Sequence, residues 1–361
     1  MIMNMIKKTF FLLPSSKFLS YSWNYGSMLG MVLGLQLLTG IFLVFYYGGS
    51  MPFDDVQYIM YEVTGGWVVR CLHFNGASLF FIFIYCHLFK GLFVGGYRLY
   101  GVWFVGVIMI FLFMGVAFMG YVLVFSQMSY WAAVVITSLV TVVPIWGESV
   151  VFWLWGSYSV VVSTVKLLFV LHFLLPWVGA VLVMMHLLVL HFFGSSSVLG
   201  CHSDYDKIMF FPSFWFKDGV NMMFFLVFAW SFLLWPFVLG DGEMFLVSDI
   251  MTSPRHIVPE WYFLYAYAIL RAVPSKIMGV LFLILSVGIL FILGVVRSNM
   301  MFNVSSKIVY VFLFSGICLT WLGSCAPESP YVILSVVMTY IYFSMIFFLF
   351  SMAWVTKMIY Y

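Results

Sequence analysis

Charge is what this chain has least of. Of its 361 residues only 7% are Asp, Glu, Lys or Arg, whereas 65% are hydrophobic, and the mean hydropathy is +1.14. Such a chain cannot cover itself with a polar surface, so a water-soluble globular protein and a nucleic-acid binder are both excluded and lipid must be the solvent. Cysteine is also sparse. Cys71, Cys86, Cys201, Cys318 and Cys325 are scattered without a CxxC or CxxCH, so no zinc site, iron-sulfur cluster or thioether-linked haem is indicated. No cleavable targeting segment is visible. The apolar run from Phe10 to Leu13, with Lys7, Lys8 and Lys17 around it and Pro14 at its end, is too short to span and reads as an interfacial amphipathic segment. The net charge of +3 excludes nothing by itself.

Aromatic residues, at 22%, are plentiful enough for interfacial belts and a cofactor-lined interior. Charge-free intervals mark the membrane spans: 18–53, 71–89, 99–147, 167–203, 219–240, 277–296, 308–327 and 329–356. Each exceeds or approaches the ~20 residues a crossing helix needs. The expectation is an all-α integral membrane protein of eight transmembrane helices, A to H, in two parts: residues 1–200, with A to D as a four-helix bundle, and residues 201–361. The interval 99–147 is long enough for two crossings, but Ser126, Gln127, Ser129, Thr137, Ser138, Thr141 and Pro144 interrupt its second half. One span is therefore expected, from Val102 to about Phe125, followed by a hairpin of short helices at one membrane surface. With the N-terminus inside, the inner segments hold ten Lys and Arg (7, 8, 17, 90, 98, 207, 217, 297, 307, 357) and the outer five (70, 166, 255, 271, 276), which satisfies the positive-inside tendency.

Histidine supplies the chemistry. His73 and His87 lie fourteen residues apart in helix B, and His172 and His186 fourteen apart in helix D. Fourteen residues are nearly four helical turns, so each helix presents two imidazoles on one face, about 21 Å apart along its axis. Eight spans make B and D parallel, and the four histidines then form an outer pair, His73 with His172, and an inner pair, His87 with His186. Two axial imidazoles are an established way to hold haem iron, here without a covalent link. A lone intramembrane histidine more simply hydrogen-bonds across a helix interface, but that reading does not account for two pairs at identical spacing. Gly26 and Gly40 in helix A and Gly106 and Gly120 in helix C are also fourteen apart, which leaves side-chain-free spots at both levels for a flat macrocycle; the plainer reading is close helix packing. Arg70 at the outer level, Lys90 and Arg98 at the inner, and Lys166 before helix D are cations suited to propionates, unless they only snorkel.

Four stretches carry a resemblance: RCLHFNGASLFFIFIYCH (70–87), GYVLVFSQMSYW (120–131), HFLLPWVGAVLVMMHLLVLH (172–191) and PEWYFLYAYAILRAVPSK (259–276). They closely resemble mitochondrial cytochrome b, the haem-bearing core of ubiquinol-cytochrome c reductase (complex III), and the likeness runs essentially end to end. The resemblance implies a low-potential b-type haem at His73/His172, a high-potential one at His87/His186, and ubiquinone as substrate at two sites. It implies as partners a Rieske iron-sulfur protein, cytochrome c1 and other complex III subunits in a homodimeric assembly of the mitochondrial inner membrane, with the N-terminus on the matrix side. At the outer site it makes Glu260 a proton acceptor, with Tyr267 and the hairpin from Gly120 to Trp131 shaping the pocket. The residues agree: an apolar, aromatic loop should raise the Glu260 carboxyl pKa. The ordinary alternative is a loop glutamate paired with Arg271. On the inner side His191, Ser195, Lys217 and Asp218 match the quinone-reducing site; without the resemblance Lys217 and Asp218 read as a charge pair at a helix start. His202 and His256 read as loop histidines.

Some positions depart from the family. Val124, Phe125 and Ser126 stand where it usually has Pro-Trp-Gly, Trp155, Gly156 and Ser157 where it has Trp-Gly-Gly, and both changes are expected at the outer pocket. Lys90 replaces an Arg, keeping the charge and losing the fork, and Ser196, Ser197 and Val198 replace a polar turn. The rival class is a polytopic transporter or channel whose buried histidines relay protons; the scarcity of acids within the spans counts against it.

Overall fold

A backbone in hydrocarbon must satisfy its own N–H and C=O groups, and in a chain this apolar the α-helix is the economical solution. The structure is a computed structural model that describes residues 11–198, 204–296 and 302–360; Lys7, Lys8, Phe10, Cys201, His202 and Arg297 lie outside these. In chain order the elements are β1 (Pro14–Ser16), α1 (Tyr25–Val44), α2 (Pro52–Tyr61), α3 (Gly66–Phe93), α4 (Tyr100–Val122), α5 (Gln127–Ser138), α6 (Gly147–Trp155), α7 (Val162–Phe193), β2 (Lys207–Met209), α8 (Ser213–Leu234), α9 (Leu264–Ala272), α10 (Lys276–Gly288), α11 (Phe291–Val295), α12 (Phe302–Ser324) and α13 (Tyr331–Tyr360). Among the described residues seven helices are long and apolar enough to cross a membrane: α1, α3, α4, α7, α8, α12 and α13.

The eighth expected span, 277–296, is a kinked rod of two helices. Ile289 and Leu290 keep right-handed helical dihedrals between α10 and α11, but the ladder tightens there to i→i+3 bonds such as Leu290 N–H to Val287 O. The Leu290 carbonyl also accepts the indole N–H of Trp103 on α4 at 2.8 Å, so an intruding donor accompanies the kink. After α4 the chain turns into the short helices α5 and α6, as the polar interruptions predict. Beside the helices the chain has one short ladder, β1 and β2, which pair antiparallel with Ser15 opposite Ile208.

The lipid-facing and inward faces differ as a membrane protein requires. Phe173, Leu174, Trp177, Val178 and Val181 of α7 are exposed, whereas Phe81, Tyr97, Phe312, Leu319 and Ile346 are fully buried between helices. Pro176 lies inside α7. It lacks the N–H that would bond the His172 carbonyl four residues earlier, and it lines the cavity described next.

Candidate functional site: two histidine tiers and an outer cavity

Helices α3 and α7 bring the four histidines together in the two expected pairs. The rings of His73 and His172 have centroids 6.2 Å apart with planes at 89°, and those of His87 and His186 are 6.3 Å apart at 62°. Both pairs form at once only if the two helices are parallel. A metal ion held by two imidazole nitrogens at about 2.0–2.1 Å, each ring centre lying about 1.1 Å behind its nitrogen, requires centroids about 6.3 Å apart. The spacing of both pairs therefore fits a six-coordinate haem iron.

Protonation of the outer pair is set by its neighbours. Thr39 Oγ1 donates its one proton to the Leu35 carbonyl at 2.7 Å, so at 2.9 Å from His73 Nδ1 it acts as acceptor and the ring nitrogen as donor. His172 Nδ1 likewise donates to the Val116 carbonyl at 2.8 Å. Both Nε2 atoms are left as lone pairs, the tautomer a metal needs. In the inner pair the Nδ1 atoms of His87 and His186 are buried without a hydrogen bond. The Val102 carbonyl, fourteen residues before Val116, lies beside His186 but falls short of hydrogen-bond geometry.

The four glycines face the imidazoles themselves. A Cβ on Gly40 would lie 3.2 Å from His73 Cε1, on Gly26 3.6 Å from His87 Cε1, on Gly106 3.4 Å from His186 Cε1 and on Gly120 2.5 Å from His172 Cε1. Each glycine thus admits the histidine from the opposite helix, tightly at Gly120 and loosely at Gly26. Arg70 lines the outer tier with its guanidinium 4.9 Å from the Phe74 ring. Lys90 Nζ stands 4.8 Å over Trp23 at the inner tier. Among the described residues the ion pairs are Lys17–Asp206 and Lys207–Asp204, so neither Arg70 nor Lys90 has a carboxylate partner, and both are suited to an anionic cofactor edge. Arg98 Nε donates to the Gly95 carbonyl, and Lys166 is exposed at the start of α7.

A cavity of about 240 Å³ runs from Gly40, His73 and His172 to Ser126, Glu260 and Tyr262. Burial and the negative charge of Asp241 push the Glu260 carboxyl up to about 7. Arg271 is not its partner: that guanidinium donates to the carbonyls of Cys325 at 2.9 Å and Gly323 at 3.4 Å, closing the C-terminal end of α12. Tyr267 lies under Arg271, 5.1 Å from the guanidinium, and its hydroxyl donates to the Ile257 carbonyl. Tyr267 is outside the cavity wall and holds the loop that leads to Glu260. Val124 and Ser126 are in the wall. Between them Phe125 takes a left-handed backbone (φ 52°), its ring edge-on to Tyr130. Trp155 sits apart at the end of α6, where its indole donates to Thr137.

Gln127, which the sequence marks only as one of the polar interruptions after the third span, has a specific role. Its backbone N–H donates to Leu246, its amide donates to the Thr252 carbonyl at 2.6 Å, and its side-chain oxygen accepts from Asp249 N–H at 2.7 Å. It pins the surface helix α5 to the loop before Glu260. A polar residue at the first position of a short helix was the available signal.

On the inner side, Asp218 accepts from the Ser27 hydroxyl at 2.5 Å, Lys217 Nζ donates to the Leu19 carbonyl at 2.6 Å, and Trp23 Nε1 donates to the Ser196 carbonyl. The start of α8 is thereby joined to residues 19–27. His191 is exposed on the last turn of α7. No hydrogen bond among the described residues joins it, or Ser195, to Asp218.

Comparison with known proteins follows the same geometry. The profile of the family Cytochrome b/b6/petB matches residues 10–194, and that of Cytochrome b(C-terminal)/b6/petD matches 247–343. The chain is 52% identical over 348 residues to a protein of Caenorhabditis elegans named cytochrome b, covering 95% of this chain and 94% of that one. It is 43% identical to its namesake from Brachionus plicatilis, covering 95% and 93%. A chain from the solved structure "Hyperthermophilic respiratory Complex III" superposes with a TM-score of 0.88 at 26% identity, over 98% of this chain and 97% of that chain.

Proposed function

The chain belongs to the cytochrome b family, whose members bind haem b and act in respiratory electron transfer, and from that premise we propose that it oxidises ubiquinol in the outer cavity and reduces ubiquinone at the inner side. It is a component of quinol-cytochrome c oxidoreductase, an enzyme of the respiratory membrane. The observation that carries the reading is the single cavity that has His73 and His172 at one end and Glu260 at the other.

His73 with His172 would hold one b-type haem and His87 with His186 a second, and these groups when bound would supply one-electron transfer across the membrane. The chain's own residues do the rest. Gly40 and Gly120 admit the outer imidazoles and Gly26 and Gly106 the inner ones, while Arg70 neutralises carboxylates at the outer tier and Lys90 and Arg98 at the inner. Glu260, its carboxyl near neutrality, accepts a proton from the quinol hydroxyl, and the apolar wall excludes water that would compete for it. Tyr267 holds the Glu260 loop from behind. At the inner side Asp218, steadied by Ser27, donates a proton to reduced quinone, Lys217 stabilises its developing negative charge, and His191 and Ser195 close the site from α7. Protons are taken up inside and released outside, so turnover is electrogenic.

The cysteines of this chain form no iron-sulfur cluster motif, so turnover requires partners: a Rieske iron-sulfur protein to take one electron and cytochrome c1 beyond it, in a homodimeric complex III. The membrane is the mitochondrial inner membrane, with the N-terminus in the matrix. Residues 1–200 carry the electron path, and 201–361 carry Glu260 and its supports. A pyridine haemochrome spectrum of the purified complex tests the core of this reading. Two b-type haems per chain are expected; a chain that binds none would end it.

A further inference from the structure

Among the described residues Glu260 makes no side-chain hydrogen bond: its carboxylate caps nothing, and its carbonyl accepts from Phe263 N–H at 2.9 Å. Its position is inherited from residues 261–263, and the question is what grips them. The grip comes from α3. The Trp261 indole donates to Ser78 Oγ at 3.2 Å, the Tyr262 ring stacks on Phe81 with centroids 4.2 Å apart and planes at 3°, and the Tyr85 hydroxyl donates to the Tyr262 carbonyl. Ser78, Phe81 and Tyr85 are spaced i, i+3 and i+7, one stripe on one helix face.

We propose that this stripe of Ser78, Phe81 and Tyr85 is a positioning device that references Glu260 to the same rigid helix that carries His73. The inference rests on the reading of Glu260 as proton acceptor. Ser78 follows His73 by five residues, about 7.5 Å along the axis and about 140° around it. Ser78 therefore lies off the histidine face of the helix. Ser78, Phe81 and Tyr262 are 3%, 1% and 4% exposed. At that burial bulk water does not compete for the bonds they make. One residue of the outer tier, His73, and the turn that carries Glu260 are thus both referenced to α3. Small displacements of a reacting group are costly in rate, so a helix that fixes both groups protects the coupling of the two transfers.

The test is Tyr85→Phe in the intact complex, which keeps the ring and its edge contact with Trp261 (6.3 Å, 68°) and removes the hydroxyl. The expected result is a fall of roughly tenfold in kcat for quinol oxidation, with KM changed less than about twofold and both haem spectra and inner quinone reduction preserved. Added to Glu260→Gln, the same substitution should cost nothing further, because the group it positions is gone. Should Tyr85→Phe fail to assemble, Ser78→Ala deletes the Trp261 bond on the same stripe and carries the same expectation at smaller size. If Glu260→Gln leaves quinol oxidation unchanged, the underlying reading of Glu260 fails. If Glu260→Gln slows it while Tyr85→Phe leaves kcat unchanged, or the two losses simply multiply, the positioning role is overturned.

Discussion

The outer and inner histidine pairs match in ring spacing, differ in ring orientation (planes at 89° and 62°) and are unlike in what surrounds them. Their centroid spacings, 6.2 and 6.3 Å, differ by only 0.1 Å (6.3 − 6.2), yet the outer imidazoles are oriented by hydrogen bonds at Nδ1 and the inner ones by packing alone. The outer pair opens onto a cavity whose wall includes Glu260, whose carboxylate makes no hydrogen bond among the described residues, whereas the inner acid, Asp218, is held by a serine. A fourteen-residue repeat places two histidine pairs; the neighbours of each pair distinguish them. Identical ligands can thus serve two tiers with different tasks.

The largest break in this comparison is His186→Leu, which should remove the inner haem entirely and stop quinol oxidation from reducing the inner quinone, with the outer haem retained. A spectrum still showing two haems per chain would mean the pairing is wrong. Next is the tightness of the glycines. Gly120→Ala puts a Cβ 2.5 Å from His172 and should cost the outer haem, whereas Gly26→Ala, at 3.6 Å from His87, should keep both; equal haem content in the two variants would refute the difference. Third, Glu260→Gln should lower quinol oxidation roughly 10²-fold, the usual scale for a lost general base. Burial and Asp241 hold the Glu260 carboxyl at about 7, with Tyr121 also close to it. The accepting carboxylate is therefore lost as pH falls through about 7, and the acid limb of the pH profile there should vanish in the variant. Asp218→Asn should leave that limb in place. The smallest effect expected is from Thr39→Val, which removes the acceptor for His73: outer haem retention in detergent should weaken about tenfold, with the inner haem unaffected. Parallel weakening of both haems would erase the distinction drawn between the tiers.

How much of this the sequence disclosed follows from the range of each interaction. Periodicity along a single helix is local, so the spans, the parallel course of α3 and α7 and both histidine pairs were legible from spacing. The kink at Ile289 and Leu290 was not, because neither glycine nor proline marks it and its partner is an indole nearly two hundred residues away. The ladder of β1 and β2 was hidden for the same reason: three residues carry no period. The partners of the outer imidazoles were invisible in another way, since one is a backbone carbonyl, which any residue at position 116 would supply. Arg271 was offered by the sequence as a counter-ion for Glu260, and the end of α12 takes it instead. The departures at 124–126 were correctly placed at the outer cavity, and Trp155 was not, because adjacency to a motif does not fix which way a short helix faces.

Thr39 commits its only proton to the Leu35 carbonyl, and so among the described residues no hydrogen bond is donated to the Nε2 atoms of His73 and His172, which line the outer cavity. A ligand that binds only the folded chain stabilises it in proportion to its supply. Biogenesis of this subunit is therefore tied to pigment delivery: a cell short of haem should accumulate little of it, however much of the polypeptide it translates.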